Sequence, residues 1–353
     1  MLLALMLVLP ATAAPSVHAA AAGSVEARLV VLEAKAAAAS PINSGDNAWL
    51  LVSSALVLMM TAPGLILFYG GLVRRKNVLG TMMHSLILMG IVSVLWVLFG
   101  YSMAFGEGNA FCGDPLKHFL LRGVGTAPNP DYAATVPAQS FMLFQMMFAI
   151  ITPALISGAV AERMRFSAYL LFATLWITVV YFPLAHMMWG KGGWFNWALG
   201  GKVPVLDFAG GTVVHISSGV SALVCALVLG KCLGYSAVTH LKARFGYDDS
   251  LDVFGVHGVG STVGMLMLGF LATATVNPPI ATCSVDGHVV SLAGSVGQFL
   301  NQLKGVAFTV VFAGGATFLL LKIADATVGL RVNEEDETIG IDLSQHGESA
   351  YND

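Results

Sequence analysis

Residues 207–230 read DFAGGTVVHISSGVSALVCALVLG: an acidic start, a glycine pair, then an apolar run holding one ionisable side chain, His215. About 20 predominantly apolar residues cross a bilayer as a helix, and this stretch is long enough. A second stretch, 252–275, opens DVFGVHGVG and carries His257. Each histidine stands eight residues after an aspartate, Asp207 to His215 and Asp249 to His257. A rise of 1.5 Å per residue then puts each ring about 12 Å below its helix start, near the middle of a roughly 30 Å hydrocarbon layer. Asp249 and Asp252 are expected at the start of the second helix. If the two helices run in opposite directions, they bring two imidazoles to one depth, the pattern of an inverted repeat with a midplane site. Gly210, Gly211 and Gly219 on one helix, with Gly255, Gly258 and Gly260 on the other, allow close approach.

Three readings of the histidines stay open. They can be unrelated buried rings, each bonded to a carbonyl or hydroxyl. They can be metal ligands, although two imidazoles with no third ligand nearby in sequence make a poor cage. Or they can share one proton, offering an apolar pore one donor and one acceptor for a small neutral polar solute.

Working outward, seven windows are apolar enough to span a membrane: 48–70, 80–104, 139–161, 167–189, 207–230, 252–275 and 295–328. Of the 353 residues, 56% are hydrophobic and 10% charged, against about 25% charged in a soluble domain. A soluble enzyme, a nucleic-acid binder and a disordered linker are therefore excluded, and the net charge of −3 gives no basic footprint for phosphate. The fold class is all-α, a polytopic membrane helical bundle. Gln298, Asn301, Gln302 and Lys304 early in the last window suggest that it begins outside the hydrocarbon or crosses obliquely. Trp49, Tyr69, Tyr101, Trp189, Trp194 and Trp197 lie near window ends, where aromatic rings anchor at the interface. Cys112 and Cys283, in loops on one side, are either bridged or two free thiols.

Residues 1–22 read as a signal peptide and 23–47 as an exported tail. Residues 48–330 form the membrane domain and 331–353 a terminal region. Loops after the first, third and fifth windows hold eight basic residues, the alternate loops four. The positive-inside rule then sets the N-terminus outside and the C-terminus in the cytoplasm of a plasma (inner) membrane.

Several motifs carry a resemblance. Ala62-Pro63-Gly64-Leu65-Ile66-Leu67-Phe68-Tyr69-Gly70-Gly71, Arg75-Lys76-Asn77-Val78-Leu79, Ala161-Glu162-Arg163-Met164-Arg165-Phe166, the two histidine segments, and Gly340-Ile341-Asp342-Leu343-Ser344-Gln345-His346-Gly347-Glu348 follow one another in order. Together they resemble the ammonium transporter/methylammonium permease/Rhesus family. The resemblance implies that His215 and His257 line a pore below a gate at Phe148. It places Trp189, Phe144 and Asp207 at an outer recruitment site for ammonium, or its analogue methylammonium. It implies deprotonation there and passage of ammonia, in homotrimers surrounded by membrane lipid, with a P-II signalling protein able to dock on the cytoplasmic face. No cofactor, metal or nucleic acid is implied, and no nucleophile–base set suggests an enzyme. The alternative is a non-conducting regulatory or decoy subunit that binds a P-II-type protein.

The family fold has eleven spans, two inverted five-helix repeats and a last long helix. Here the sixth to eighth and most of the ninth are missing, with the junction near Lys231-Cys232. A second gate phenylalanine and a recruitment-site serine would come from the sixth helix and have no counterpart. An aromatic cup attracts a desolvated cation by up to about 2 kcal/mol. Carrying a bare cation through an apolar pore costs far more, so shedding a proton separates ammonium from potassium.

Overall fold

The computed structural model describes Leu29 and residues 41–230, 251–285 and 288–351. The expected signal segment, most of the tail ahead of the first span, and Asp249 with its loop lie outside the described residues.

Seven helices long and apolar enough to cross a membrane are present among the described residues. They are α1 (Ser44–Leu72), α2 (Arg75–Phe105), α3 (Ala138–Val160), α4 (Phe166–Trp189), α5 (Gly211–Leu229), α6 (Phe254–Leu271) and α7 (Val296–Val328). Two short helices follow, α8 (Glu334–Ile339) and α9 (Ile341–His346). A small antiparallel hairpin, β1 (Cys283–Val285) and β2 (His288–Val290), joins α6 to α7. α1 starts inside the segment expected as a tail, because the Asn43 side chain accepts from the Gly45 and Asp46 N–H groups and caps it there.

α5 packs on α3, α6 and α7, and α4 packs on α7. Fully buried Trp176 of α4 holds three of these helices together. Its indole N–H reaches Ser221 Oγ on α5 at 2.9 Å and Thr317 Oγ1 on α7 at 3.1 Å, and Thr317 donates to Ser221 at 2.8 Å. Where α5 meets α6 the backbones touch, since a Cβ on Gly219 would lie 2.2 Å from the Gly258 nitrogen. The other expected small contacts divide. Gly211 rests on Met265, whereas Gly255 and Gly260 face open space.

The terminal region folds back onto the start of α2. Asp342 accepts from the Leu79 and Gly80 N–H groups at 2.9 and 2.7 Å, and Ile341 N–H donates to Asn77 Oδ1 at 2.8 Å. A residue of the tail thus caps a helix that begins more than 250 residues earlier. Two of the expected interfacial rings are instead core: Tyr69 and Tyr101 are buried, and Tyr69 donates to the Leu155 carbonyl at 3.1 Å. Cys112 and Cys283 are free thiols.

Candidate functional site

Two cavities meet at Phe148. The first, of about 460 Å³, is an aromatic vestibule lined by Phe105, Tyr132, Phe144, Phe148, Trp189 and Asp207 among others. The second, of about 430 Å³, is almost wholly apolar and holds His215 and His257 against Met60, Phe68, Phe148 and Val256. Phe148 and Ala209 line both chambers. Phe144 meets the Phe148 ring edge to face, centroids 5.0 Å apart at 80°.

Trp189 is aimed by a hydrogen bond from its indole N–H to the Asp207 carbonyl, 2.9 Å. The Asp207 carboxylate points the other way, into the start of α5. It accepts from the N–H groups of Gly211, Thr212 and Val213 at 2.9, 2.9 and 3.2 Å, and from Thr212 Oγ1 at 2.5 Å. These are orphan donors of a helix N-terminus, and a buried carboxylate satisfies them together with the dipole. Its charge is therefore turned away from the vestibule.

The same cap explains a departure from the expected helix starts. α5 does not begin at Asp207; Gly210 adopts φ 76° and the helix opens at Gly211 with a wide first turn. α6 likewise opens at Phe254, two residues after Asp252, which itself sits at φ 58°. His215 and His257 are thus the fifth and fourth residues of their helices, not two turns into them. Both helices start interrupted, and the interrupted ends bring the rings together.

The rings lie nearly parallel, 9° apart, with Nδ1 facing Nδ1 at 3.0 Å. For neutral imidazoles one Nδ1–H must donate to the other, bare Nδ1. The remaining Nε2 atoms are then one acceptor and one donor.

Three vestibule residues carried no signal in the sequence reading. Tyr132 comes from the loop between α2 and α3, where no periodicity marks it. Its hydroxyl donates to the Phe105 carbonyl at 2.9 Å and accepts from Lys191 N–H at 3.0 Å. Burial pushes its pKa up to about 12. Phe105 and Phe141 pack on the same ring, Phe141 stacked at 5.4 Å. Gln298 and Gln302, expected to mark a wet entry to α7, are buried amides with protein partners.

The helices and paired chambers define a multi-pass membrane protein of the transporter class. The sequence profile of the Ammonium Transporter Family matches residues 48–237 and 232–351, and the chain belongs to that family. It is 37% identical over 415 aligned positions to the ammonium transporter of Bacillus subtilis (strain 168), covering 88% of this chain and 99% of that one. It is 32% identical over 416 positions to the ammonium transporter Amt1 of Archaeoglobus fulgidus, covering 88% and 100%. Among solved structures, Candida albicans Mep2 superposes with a TM-score of 0.73 at 26% identity, covering 88% of this chain and 91% of that one. Both alignments contain more positions than the chain has residues, and the two profile matches overlap at 232–237. These relatives therefore carry stretches this chain lacks, and the profile breaks between α5 and α6.

Proposed function

We propose that the chain moves ammonium across the membrane as neutral ammonia. The observation that carries this reading is the His215–His257 contact at 3.0 Å, set in an apolar chamber one phenylalanine away from an aromatic vestibule. Ammonium, or methylammonium, rests against Trp189, Phe144 and Phe148, where cation–π attraction is worth up to about 2 kcal/mol. The apolar chamber rejects the charge, ammonium gives its proton to water in the vestibule, which carries it back to the outer solvent, and ammonia passes Phe148 to hydrogen-bond with the free Nε2 atoms of the pair. In this reading residues 1–22 are a signal peptide and 48–330 the channel domain. The vestibule faces outward in a plasma (inner) membrane, the chain forms homotrimers, and residues 331–353 face the cytoplasm, where a P-II signalling protein can dock.

The experiment is uptake of labelled methylammonium into proteoliposomes holding the purified chain. Selective uptake is expected, falling more than about tenfold, or ~1.4 kcal/mol, in His215→Ala. Equal uptake by the variant would overturn the reading.

A second reading, a non-conducting regulatory subunit, is favoured by one observation: the flank of α6 beside His257 is exposed, with Val256, Val259 and Val263 uncovered. A stable assembly that takes up no methylammonium but binds a P-II protein would select it.

A further inference from the structure

We infer that Gln302 is a positioning residue for the histidine pair, holding the start of α5 and the body of α6 in register through one side-chain amide. Gln302 lies on α7 and is fully buried. Its Oε1 accepts from Leu206 N–H at 2.8 Å and from Gln298 Nε2 at 3.2 Å. Its Nε2 donates to the Leu206 carbonyl at 2.9 Å and the Met265 carbonyl at 3.2 Å. All four hydrogen-bonding positions of a carboxamide are thereby filled.

The partners decide what the amide does. Leu206 immediately precedes Asp207, whose carboxylate caps α5 and whose carbonyl aims Trp189. One amide grips both backbone groups of Leu206, as a neighbouring strand would, and so fixes the point from which the cap is built. Met265 lies eight residues beyond His257 on α6, about 12 Å along the axis. Its sulfur also lies against Gly211, where a Cβ would approach to 2.5 Å. The Gly219–Gly258 backbone contact holds α6 beside the histidines, and Gln302 holds it two turns away. Two fixed points suppress both tilt and rotation of α6, and a small rotation is enough to part Nδ1 atoms 3.0 Å apart. Removing the amide takes away the hydrogen bonds it makes to the N–H and carbonyl of fully buried Leu206.

The test has two arms. The first is nitrogen NMR of histidine-labelled protein, reading the hydrogen-bonded Nδ1 pair of His215 and His257. It does not require the chain to conduct. The second is methylammonium flux, which rests on the transport reading, so loss of wild-type flux with an intact NMR pair indicts that reading alone. In Gln302→Leu the hydrogen-bonded pair signal is expected to vanish and flux to fall about tenfold, with the assembly's size unchanged. Gln298→Leu, which removes the neighbouring amide but no hydrogen bond to α6, should keep the pair signal. If Gln302→Leu does not fold, Gln302→Glu has nearly the same shape, keeps at most one donor for the two carbonyls of Leu206 and Met265, and is read in the same way. A folded Gln302 variant with an intact pair signal, or a Gln298→Leu variant that loses it equally, overturns the inference.

Discussion

α5 and α6 carry the same device and live in opposite surroundings. Each opens with a wide turn, each presents one histidine there, and the two rings touch. Yet 72% of the apolar window of α5 is buried inside the protein and only 17% of that of α6. α3 and α4 belong with α5, while α1, α2 and α7 resemble α6 in exposing most of their windows. The family profile matches in two segments whose ends meet at 232–237, between α5 and α6. Local chemistry at the histidines is thus independent of how much protein stands behind each helix. The shell behind them is not, and a helix whose outer face meets lipid gains little from apolar burial.

Glycine substitution gives the sharpest way to break that comparison. Gly219→Val drives a side chain into the Gly258 backbone, and neither helix can yield without parting the histidines. It should lose about 3 kcal/mol of stability, the upper end of what overpacking usually costs, in a thermal or denaturant melt. Gly260→Val, on the open face of α6, should stay within ~0.5 kcal/mol. Equal losses would mean that α6 is covered in the assembled protein. The next largest effect belongs to Trp176→Phe. It removes the donor shared by Ser221 and Thr317 and should lose about 1–3 kcal/mol. Met267→Leu on the exposed side of α6 should change stability by less than ~0.5 kcal/mol in the same melt.

The sequence makes the spans legible because hydropathy over 20 residues is a sum, insensitive to single positions. All seven helices fall within a few residues of their windows. Helix starts are less legible. Asp207 caps α5 from four residues ahead, across a left-handed Gly210, and neither cap distance nor sign of φ is written in residue type. Polarity at Gln298 and Gln302 is visible, but a buried amide with four partners and a surface amide in water read alike in one dimension. The vestibule is half legible. Trp189, Phe144 and Phe148 sit on periodic helices, while Tyr132 comes from an irregular loop held at the site by its hydroxyl bonds to Phe105 and Lys191 and by ring packing on Phe105 and Phe141.

A smaller expected effect than that of Trp176→Phe tests the stitch between the thin and the buried halves. Arg74, in the link from α1 to α2, donates its backbone N–H and its Nε to Glu162, in the link from α3 to α4, at 2.8 and 2.9 Å. Burial alone would raise the pKa of the Glu162 carboxyl. Hydrogen bonds and charge from Arg74 outweigh it, and the net shift is downward. A depressed folded-state pKa contributes stability that is fully present above the unfolded value of about 4.3 and is lost as pH falls through the folded value. Because the Arg74 side chain is 38% exposed, water screens the pair, and the contribution should not exceed ~1 kcal/mol. Melts of the intact protein and of Glu162→Gln, which retains the shape and tolerates the same backbone, should therefore differ modestly at pH 7. The difference should begin to shrink as pH drops below the unfolded value of about 4.3 and vanish only once pH has fallen through the lower folded value, where the wild-type carboxyl is also neutral. A difference that stays constant with pH would mean that Glu162 acts through shape alone, and that other contacts join the two halves.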